Sequence, residues 1–242
     1  MKKIEFLKDI IDSSSSIVVF TGAGISTPSG IPDFRSANGI YNQKGTSIPP
    51  EEIISHDFFF QNPKEFYDFY KKNLVYKDAK PNIAHKYFAD LEAKGKNVII
   101  VTQNIDGLHQ KAGSKTVLEL HGNIHRNYCT ECHRLFGLDY ILNANDVPIC
   151  DKCGSIIKPD VVLYGEELDP EIINRTISAI MTCETLIVVG TSLTVYPAAG
   201  FIRYFRGRNL VVINKTETNY DNMCDLVIND DIEKVIKELV SL

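Results

Sequence analysis

Four of the six cysteines fall into two pairs, Cys129-x2-Cys132 and, seventeen residues further on, Cys150-x2-Cys153. Two such pairs with a spacer of 15–20 residues make the pattern of a zinc ribbon. Four thiolates complete a tetrahedral shell around Zn²⁺ and leave no open position, so the expected metal is structural rather than catalytic. His125 and His133 stand close by and are not needed as ligands. Cys183, near the end of an amphipathic helical pattern, reads as a small core residue. Paired thiols in a chain of this size point to metal rather than to a disulfide framework, and hence to a reducing compartment.

A second group of residues could handle a nucleotide. Gly22-Ala23-Gly24-Ile25-Ser26-Thr27 begins like a dinucleotide fingerprint. Its glycines would allow positive φ and a close backbone approach to a pyrophosphate. Thr27 occupies the third glycine slot, so the segment by itself fits a mere tight turn equally well, and a hydride-transferring dehydrogenase is disfavoured. Arg35 could clamp a phosphate bidentately, and Phe34 could wall a flat ring. Thr102-Gln103-Asn104-Ile105-Asp106 places several hydrogen-bonding side chains just past an apolar run. A helix N-cap by Asn104 or Asp106 would account for only one of them. His121, between another apolar run and Gly122, should aim its ring into the same crevice, where a group titrating near neutrality could act as general base. His85 and His109 lie in or beside helical segments and read as structural.

These residues need a scaffold that brings them together. Short β-branched or aliphatic runs at 17–20, 98–101, 117–120, 186–189, 210–213 and 226–228 each end in glycine or polar residues. They read as buried parallel strands. Ile4, Leu7, Ile10 and Ile11 repeat at helical spacing, and further helices are predicted at about 63–76, 83–94, 170–181, 197–206 and 231–241. Alternating strands and helices imply a parallel α/β sheet, which binds ligands at the carboxyl ends of its strands. Two stretches depart from this grammar. Residues 34–60, with Gly39, Gly45, Pro49 and Pro50 before Phe58-Phe59-Phe60, read as loop. Residues 124–158 read as a small insert stapled by metal.

The 242 residues, 44% apolar and 24% charged, suit one large globular domain with an insert. They exclude a disordered chain, a collagen repeat and a bare disulfide knot. A net charge of −5 gives no long-range attraction to DNA or an anionic membrane. This counts against a non-enzymatic zinc-ribbon module that binds nucleic acid. Glu5, Asp9 and Asp12 interrupt any signal-peptide core, and no apolar run approaches the roughly 18 residues of a membrane span. The expectation is a cytoplasmic protein.

Together the motifs resemble the sirtuins, the NAD-dependent protein lysine deacylases, in the form of a minimal bacterial-type catalytic core. The resemblance rests on GAGISTPSGIPDFR at 22–35, TQNID at 102–106, ELHG at 119–122, the four cysteines, IKPDVVLYGE at 157–166, GTSLTVYPAAG at 190–200 and VVIN at 211–214. It implies an inverted Rossmann-type sheet domain formed by 1–33, 98–123 and 159–242. A small domain would comprise a helical lobe and cofactor loop at 34–97 with the zinc ribbon at 124–158. Ala23, Thr27, Arg35, Thr191, Ser192 and Asn214 would hold the phosphates, ribose and adenine of NAD, with Ile232 at the adenine end. Gln103 and Asn104 would face the nicotinamide ribose, Asn104 counting with His121 as catalytic. Ile31, Ile105 and Asp106 would line the nicotinamide pocket under Phe34. Val161, Val162, Leu163, Tyr164 and Gly165 would pair with an acyl-lysine peptide as an added strand.

The resemblance also implies a reaction. The acyl oxygen of acyl-lysine attacks the ribose C1′ as nicotinamide leaves, and His121 then acts as base on a ribose hydroxyl. Free lysine, nicotinamide and O-acyl-ADP-ribose result, which makes the enzyme formally a transferase working as a monomer. Mono-ADP-ribosylation of a protein side chain is the alternative activity. Two departures from the family pattern matter. Tyr164 replaces the usual Phe, which should alter acyl-tunnel polarity. The arginine that pairs with succinyl or malonyl carboxylates is replaced by Tyr70, three residues after Tyr67, so neutral acyl groups should be preferred and Tyr70→Arg should narrow the gap. Lys71 or Lys72 could substitute for that arginine.

Overall fold

The computed structural model describes residues 2–36, 39–42 and 48–242. In chain order the first elements are α1 (Lys2–Ser13), β1 (Ser16–Thr21), α2 (Pro50–Ile53), α3 (His56–Gln61), α4 (Pro63–Asn73), α5 (Ile83–Ala93) and β2 (Asn97–Thr102). There follow α6 (Leu108–Ala112), β3 (Val117–Glu119), β4 (Gly122–Cys129), β5 (Leu135–Phe136), α7 (Leu138–Asn143) and β6 (Ile157–Val161). The last are α8 (Pro170–Thr182), β7 (Thr185–Val189), β8 (Asn209–Ile213), β9 (Leu226–Ile228) and α9 (Ile232–Val240).

Six strands form a parallel sheet in the order β3-β2-β1-β7-β8-β9. Both faces are covered, which is why the strands read as continuous apolar runs rather than alternating ones. Ile17, Val19, Ile100, Ile187 and Val211 face the layer of α1, α5 and α9. Val18, Phe20, Leu186, Val188 and Val212 face α8 and a 3₁₀ turn at Ala198–Tyr204. The strand order reverses between β1 and β7, and a crevice must open there at the carboxyl ends.

A second, antiparallel sheet, β5-β4-β6, packs with α2, α3, α4 and α7 around a separate core. Its centre is aromatic. Phe59 meets Phe66 edge-on at 4.9 Å, Phe66 meets Tyr67 at 5.3 Å, and Phe66 stacks on Tyr70 at 5.6 Å. Edge-to-face pairs of this kind add about 0.5–1.5 kcal/mol each beyond area burial.

The parallel sheet matches the sequence reading strand for strand. The 34–60 stretch is less irregular than expected, because it contains α2 and α3. Pro50 opens α2 at its first turn, and Ser55 caps α3 by accepting the Phe58 N–H at 3.3 Å. Gly45 lies outside the described residues. The 197–206 segment is a 3₁₀ turn over Ala198–Tyr204 rather than an α-helix. Helix α5 packs on the large sheet through Ala84, Phe88 and Leu91.

Candidate functional site

A cavity of about 590 Å³ opens at the carboxyl end of the parallel sheet. Its walls contain every catalytic, nucleotide and peptide residue singled out from the sequence. The sheet side contributes Ala23, Thr27, Ile31, Phe34, Arg35, Gln103, Asn104, Ile105, Asp106, His121, Thr191, Ser192, Asn214 and Ile232. The opposite side contributes Val161, Val162, Leu163, Tyr164 and Gly165. Asn73 at the end of α4 and Leu74 and Tyr76 just past it, together with Tyr41, Val195, Tyr196 and Lys215, complete the wall. Sequence reasoning gave this second set no role: Val195 and Tyr196 lie within the 190–200 motif, and nothing in the spacing of the others marks them.

The glycines of the first turn act differently from expectation. Gly22 is extended, and neither it nor Gly24 has positive φ. What they permit is contact between two loops. Gly24 N–H donates to Gly190 O at 2.8 Å, and Gly22 N–H donates to Val189 O at 3.1 Å. A Cβ on Gly24 would stand 2.7 Å from Gly190 Cα, and one on Gly190 would stand 2.4 Å from Ile25 N. The loops after β1 and β7 therefore interlock backbone to backbone, and no side chain fits on either. The turn continues as two 3₁₀ turns, Ala23–Ile25 and Thr27–Ser29, not as the α-helix of a standard fingerprint. Thr27 closes it by donating to Gly24 O at 3.0 Å.

Behind this turn Ser26 organises a buried polar cluster. Its hydroxyl donates to Asp106 Oδ2 at 2.7 Å and accepts from Asn104 Nδ2 at 3.1 Å. His85 Nε2 lies 3.5 Å from the same hydroxyl, and His85 Nδ1 accepts the Asn82 N–H at 3.3 Å. Asp106 also accepts the Leu108 N–H at 2.9 Å, although the N-cap of α6 is Gly107, while its second oxygen turns to Ser26. Burial holds the Asp106 carboxyl above the usual carboxylate range. Burial pushes His85 down to about 4 and His109 well below its ordinary value. Both imidazoles are neutral, as the structural reading requires. Their rings meet at 4.8 Å, and His109 bonds Thr21 Oγ1 at 3.1 Å.

His121 projects from the turn between β3 and β4. Its Nδ1 lies 3.0 Å from Gln103 O. A carbonyl can only accept, so Nδ1 carries the proton and Nε2 keeps its lone pair. Burial lowers the His121 pKa, partly offset by that bond. The next residue must be glycine. Gly122 has φ +77°, and a Cβ there would come 1.9 Å from Asp160 O on β6. Gln103 in turn donates to Thr191 Oγ1 at 3.1 Å, joining the loops after β2 and β7.

The strand expected to receive a peptide is already partly paired. Val162 N–H donates to His121 O, and Tyr164 N–H donates to Ile54 O, both at 3.0 Å. His56 N–H donates to Tyr164 O at 2.9 Å, and Glu166 Oε2 accepts the Leu163 N–H at 2.9 Å. These bonds leave fewer backbone groups in this segment for an added strand to pair with. The Tyr164 hydroxyl bonds Tyr41 Oη at 2.8 Å, and both residues line the cavity. Tyr70 does not stand on the cavity wall. It is fully buried, and among the described residues its hydroxyl has no partner. The wall in this region is Asn73 and Leu74, one turn further along, so the sequence-based placement of Tyr70 as acyl gatekeeper is corrected. Lys71 points elsewhere, donating to Ala144 O at 2.7 Å.

At the far end of β4 the four thiols of Cys129, Cys132, Cys150 and Cys153 lie within 4.8 Å of one another. The Cys129–Cys153 and Cys132–Cys150 sulfur separations are 3.3 and 3.7 Å. Zn–S bonds of about 2.3 Å in a tetrahedron require sulfurs about 3.8 Å apart, so the donor set fits zinc. Each pair sits in the same kind of turn, in which His133 N–H donates to Cys129 O and Gly154 N–H to Cys150 O. His133 at φ 55° and Gly154 at φ 78° take the left-handed position after the second cysteine. His133 thus serves the turn and not the metal, and His125 is exposed. Cys183 is buried at the end of α8.

Comparison with known proteins agrees with this arrangement. The model of the Sir2 family matches residues 22–197. An NAD-dependent protein deacetylase of Clostridium acetobutylicum is 56% identical over 242 residues, covering 99% of both chains. One from Clostridium perfringens is 57% identical over 240 residues, covering 98% of each. A solved Sir2 structure with a p53 peptide and NAD⁺ superposes with a TM-score of 0.85 at 42% identity, covering 100% of this chain and 98% of the other. Another, bound to a propionylated peptide, gives 0.87 at 41% identity with the same coverage.

Proposed function

Because the chain belongs to the Sir2 family, we propose that its cavity takes NAD and an acyl-lysine peptide and that the protein is an NAD-dependent protein lysine deacetylase. The observation that carries this reading is the half-buried His121, whose Nδ1 is committed to Gln103 O. A neutral imidazole with Nε2 available is the correct form for a general base at pH 7.

Arg35, Thr191, Ser192 and Asn214, with the loop backbone at Ala23 and Thr27, bind the phosphates, ribose and adenine. Ile232 closes the adenine end. Gln103 and Asn104 orient the nicotinamide ribose, while Ile31, Ile105 and Asp106 receive the nicotinamide beneath Phe34. Asp106, held by the Ser26 hydroxyl and the Leu108 N–H, presents its carboxyl group to the carboxamide. The acyl oxygen attacks C1′ as nicotinamide departs, within walls that exclude stray water. His121 then removes a proton from a ribose hydroxyl. One water is consumed, and free lysine and O-acyl-ADP-ribose leave, so the chemistry is acyl transfer. The peptide lies along Val161–Gly165 as an added strand.

The four cysteines hold one structural zinc. The separate cores of the two sheets support the two-domain division, with residues 83–93 joining the side of the parallel sheet. The proposed enzyme works in the cytoplasm as a monomer on peptide substrates; among the described residues no helix is long and apolar enough to cross a membrane.

Mass spectrometry of a panel of acyl-peptides incubated with NAD tests the reading. Nicotinamide and O-acetyl-ADP-ribose should appear in equal amounts. Acetyl-lysine should outrun succinyl-lysine by at least ~10-fold in kcat/KM, because an unpaired buried carboxylate costs several kcal/mol. Release of free acetate without nicotinamide would refute it.

A further inference from the structure

Residues 33–36 and 39–41 are drawn into a closed turn at the cavity edge. Ile40 N–H donates to Asp33 O at 2.8 Å, and Tyr41 N–H donates to Phe34 O at 3.0 Å. Asp33 Oδ1 accepts the N–H groups of Arg35 and Ser36 at 3.0 and 2.7 Å. The Tyr41 ring meets Phe34 edge-on at 5.5 Å, and the Arg35 guanidinium lies over its face, also at 5.5 Å. Tyr41 is therefore the support against which Phe34 and Arg35 rest.

The hydroxyl of Tyr41 bonds that of Tyr164 at 2.8 Å. Tyr164 is anchored independently, its backbone paired with Ile54 O and His56 N–H at 3.0 and 2.9 Å. The bond thus joins a residue held just past β6 to the turn on the other side of the cavity. Burial raises the Tyr41 phenol above its ordinary range, so it stays a neutral hydrogen-bonding group. A phenylalanine at 164 would keep the ring and lose the link.

We propose that the Tyr164 hydroxyl is a positioning group for NAD, acting through Tyr41 on Phe34 and Arg35. It couples the strand that takes the peptide to the turn that takes the dinucleotide. This rests on the reading of the cavity as an NAD site. The bond is neutral and partly exposed, and its loss is expected to weaken NAD binding about two- to ten-fold.

The test is a double-mutant cycle with Tyr41→Phe, Tyr164→Phe and the double variant. NAD affinity is read by calorimetry, and KM and kcat by turnover of an acetyl-peptide. Each single variant should weaken NAD, and the double should be no weaker than either single, because one bond is lost in all three. The loss should appear in NAD Kd and KM more than in kcat at saturating NAD. Effects that multiply, an unaltered NAD Kd, or a loss confined to peptide KM would overturn the proposal while leaving the NAD site intact. Absence of NAD binding by the unmodified protein would instead remove the site assignment, and this proposal with it.

Discussion

Two walls meet at His121, and they are held by different means. The wall on the parallel sheet is built from loops that interlock through backbone, as Gly24 and Gly190 do. The facing wall is one end of the β4–β6 pair, whose other end is tied by four cysteines. β4 runs from Gly122, beside the histidine, to Cys129 in the metal cluster, a span of about 25 Å at 3.3 Å per residue. One wall is rigid because its atoms have nowhere to go. The other depends on a clamp far from the chemistry. Substitutions at each should therefore fail in distinguishable ways.

The largest effect is expected at the clamp. Cys150→Ser should empty the zinc site and melt the second sheet, since structural zinc contributes roughly 10 kcal/mol or more of folding free energy. Metal analysis and circular dichroism check it. A variant that retains full zinc, or stays folded and active without it, would detach the ribbon from this account.

At the glycine crossings the failure should be steric. Gly122→Ala and Gly190→Ala place a Cβ 1.9 and 2.4 Å from backbone atoms, and both should fail to give a stable fold. Gly165→Ala is the control. It shares a positive φ of 90°, but its Cβ meets nothing closer than 3.9 Å. Conformational strain of about 1–2 kcal/mol should lower its melting temperature by roughly 2–8 °C.

The aromatic core of the second unit can be probed with Tyr70→Arg. A buried cation with no partner should cost about 3–5 kcal/mol, read as a lower urea midpoint. The variant should gain no succinyl-lysine activity, because Tyr70 is not on the cavity wall. Gain of that activity in a stable protein would return the residue to the acyl channel.

A smaller, pH-dependent effect is expected behind the sheet wall. His85 has a folded pKa of about 4 against an unfolded value of 6.5. Between those values the unfolded chain binds more protons, so stability rises with pH across this window and is level above it. The contribution of His85 is about 3 kcal/mol at 1.36 kcal/mol per pKa unit. Urea midpoints at pH 5 and 7 should show the slope, and His85→Gln should flatten part of it. An unaltered slope in the variant would mean that His85 is not the group responsible.

The contrast between the walls also explains what the sequence makes legible. The strands 17–20, 98–101, 186–189 and 210–213 are continuous apolar runs because both faces of the sheet are covered, and each run ends in the residues that line the cavity. The cysteine spacing is equally direct, since metal geometry dictates it. Side-chain direction in the helical lobe is not written in spacing. Tyr67 and Tyr70 pack into an aromatic core while Asn73 and Leu74 reach the cavity, and only tertiary packing decides which. Likewise Gly22 and Gly24 signal a special turn, but the reason, contact with Gly190, comes from a partner loop more than 160 residues away.

In the proposed reaction His121 acts as base after nicotinamide has left. Comparing His121→Ala with the unmodified enzyme in two assays tests it most directly: deacetylation of an acetyl-peptide, and exchange of labelled nicotinamide into NAD. Deacetylation should fall by about 10²–10⁴-fold, the usual range for loss of a general base, while exchange survives much better, because cleavage at C1′ precedes the proton transfer. Equal loss of both activities in a variant that still folds would contradict the account and make His121 a binding or structural residue.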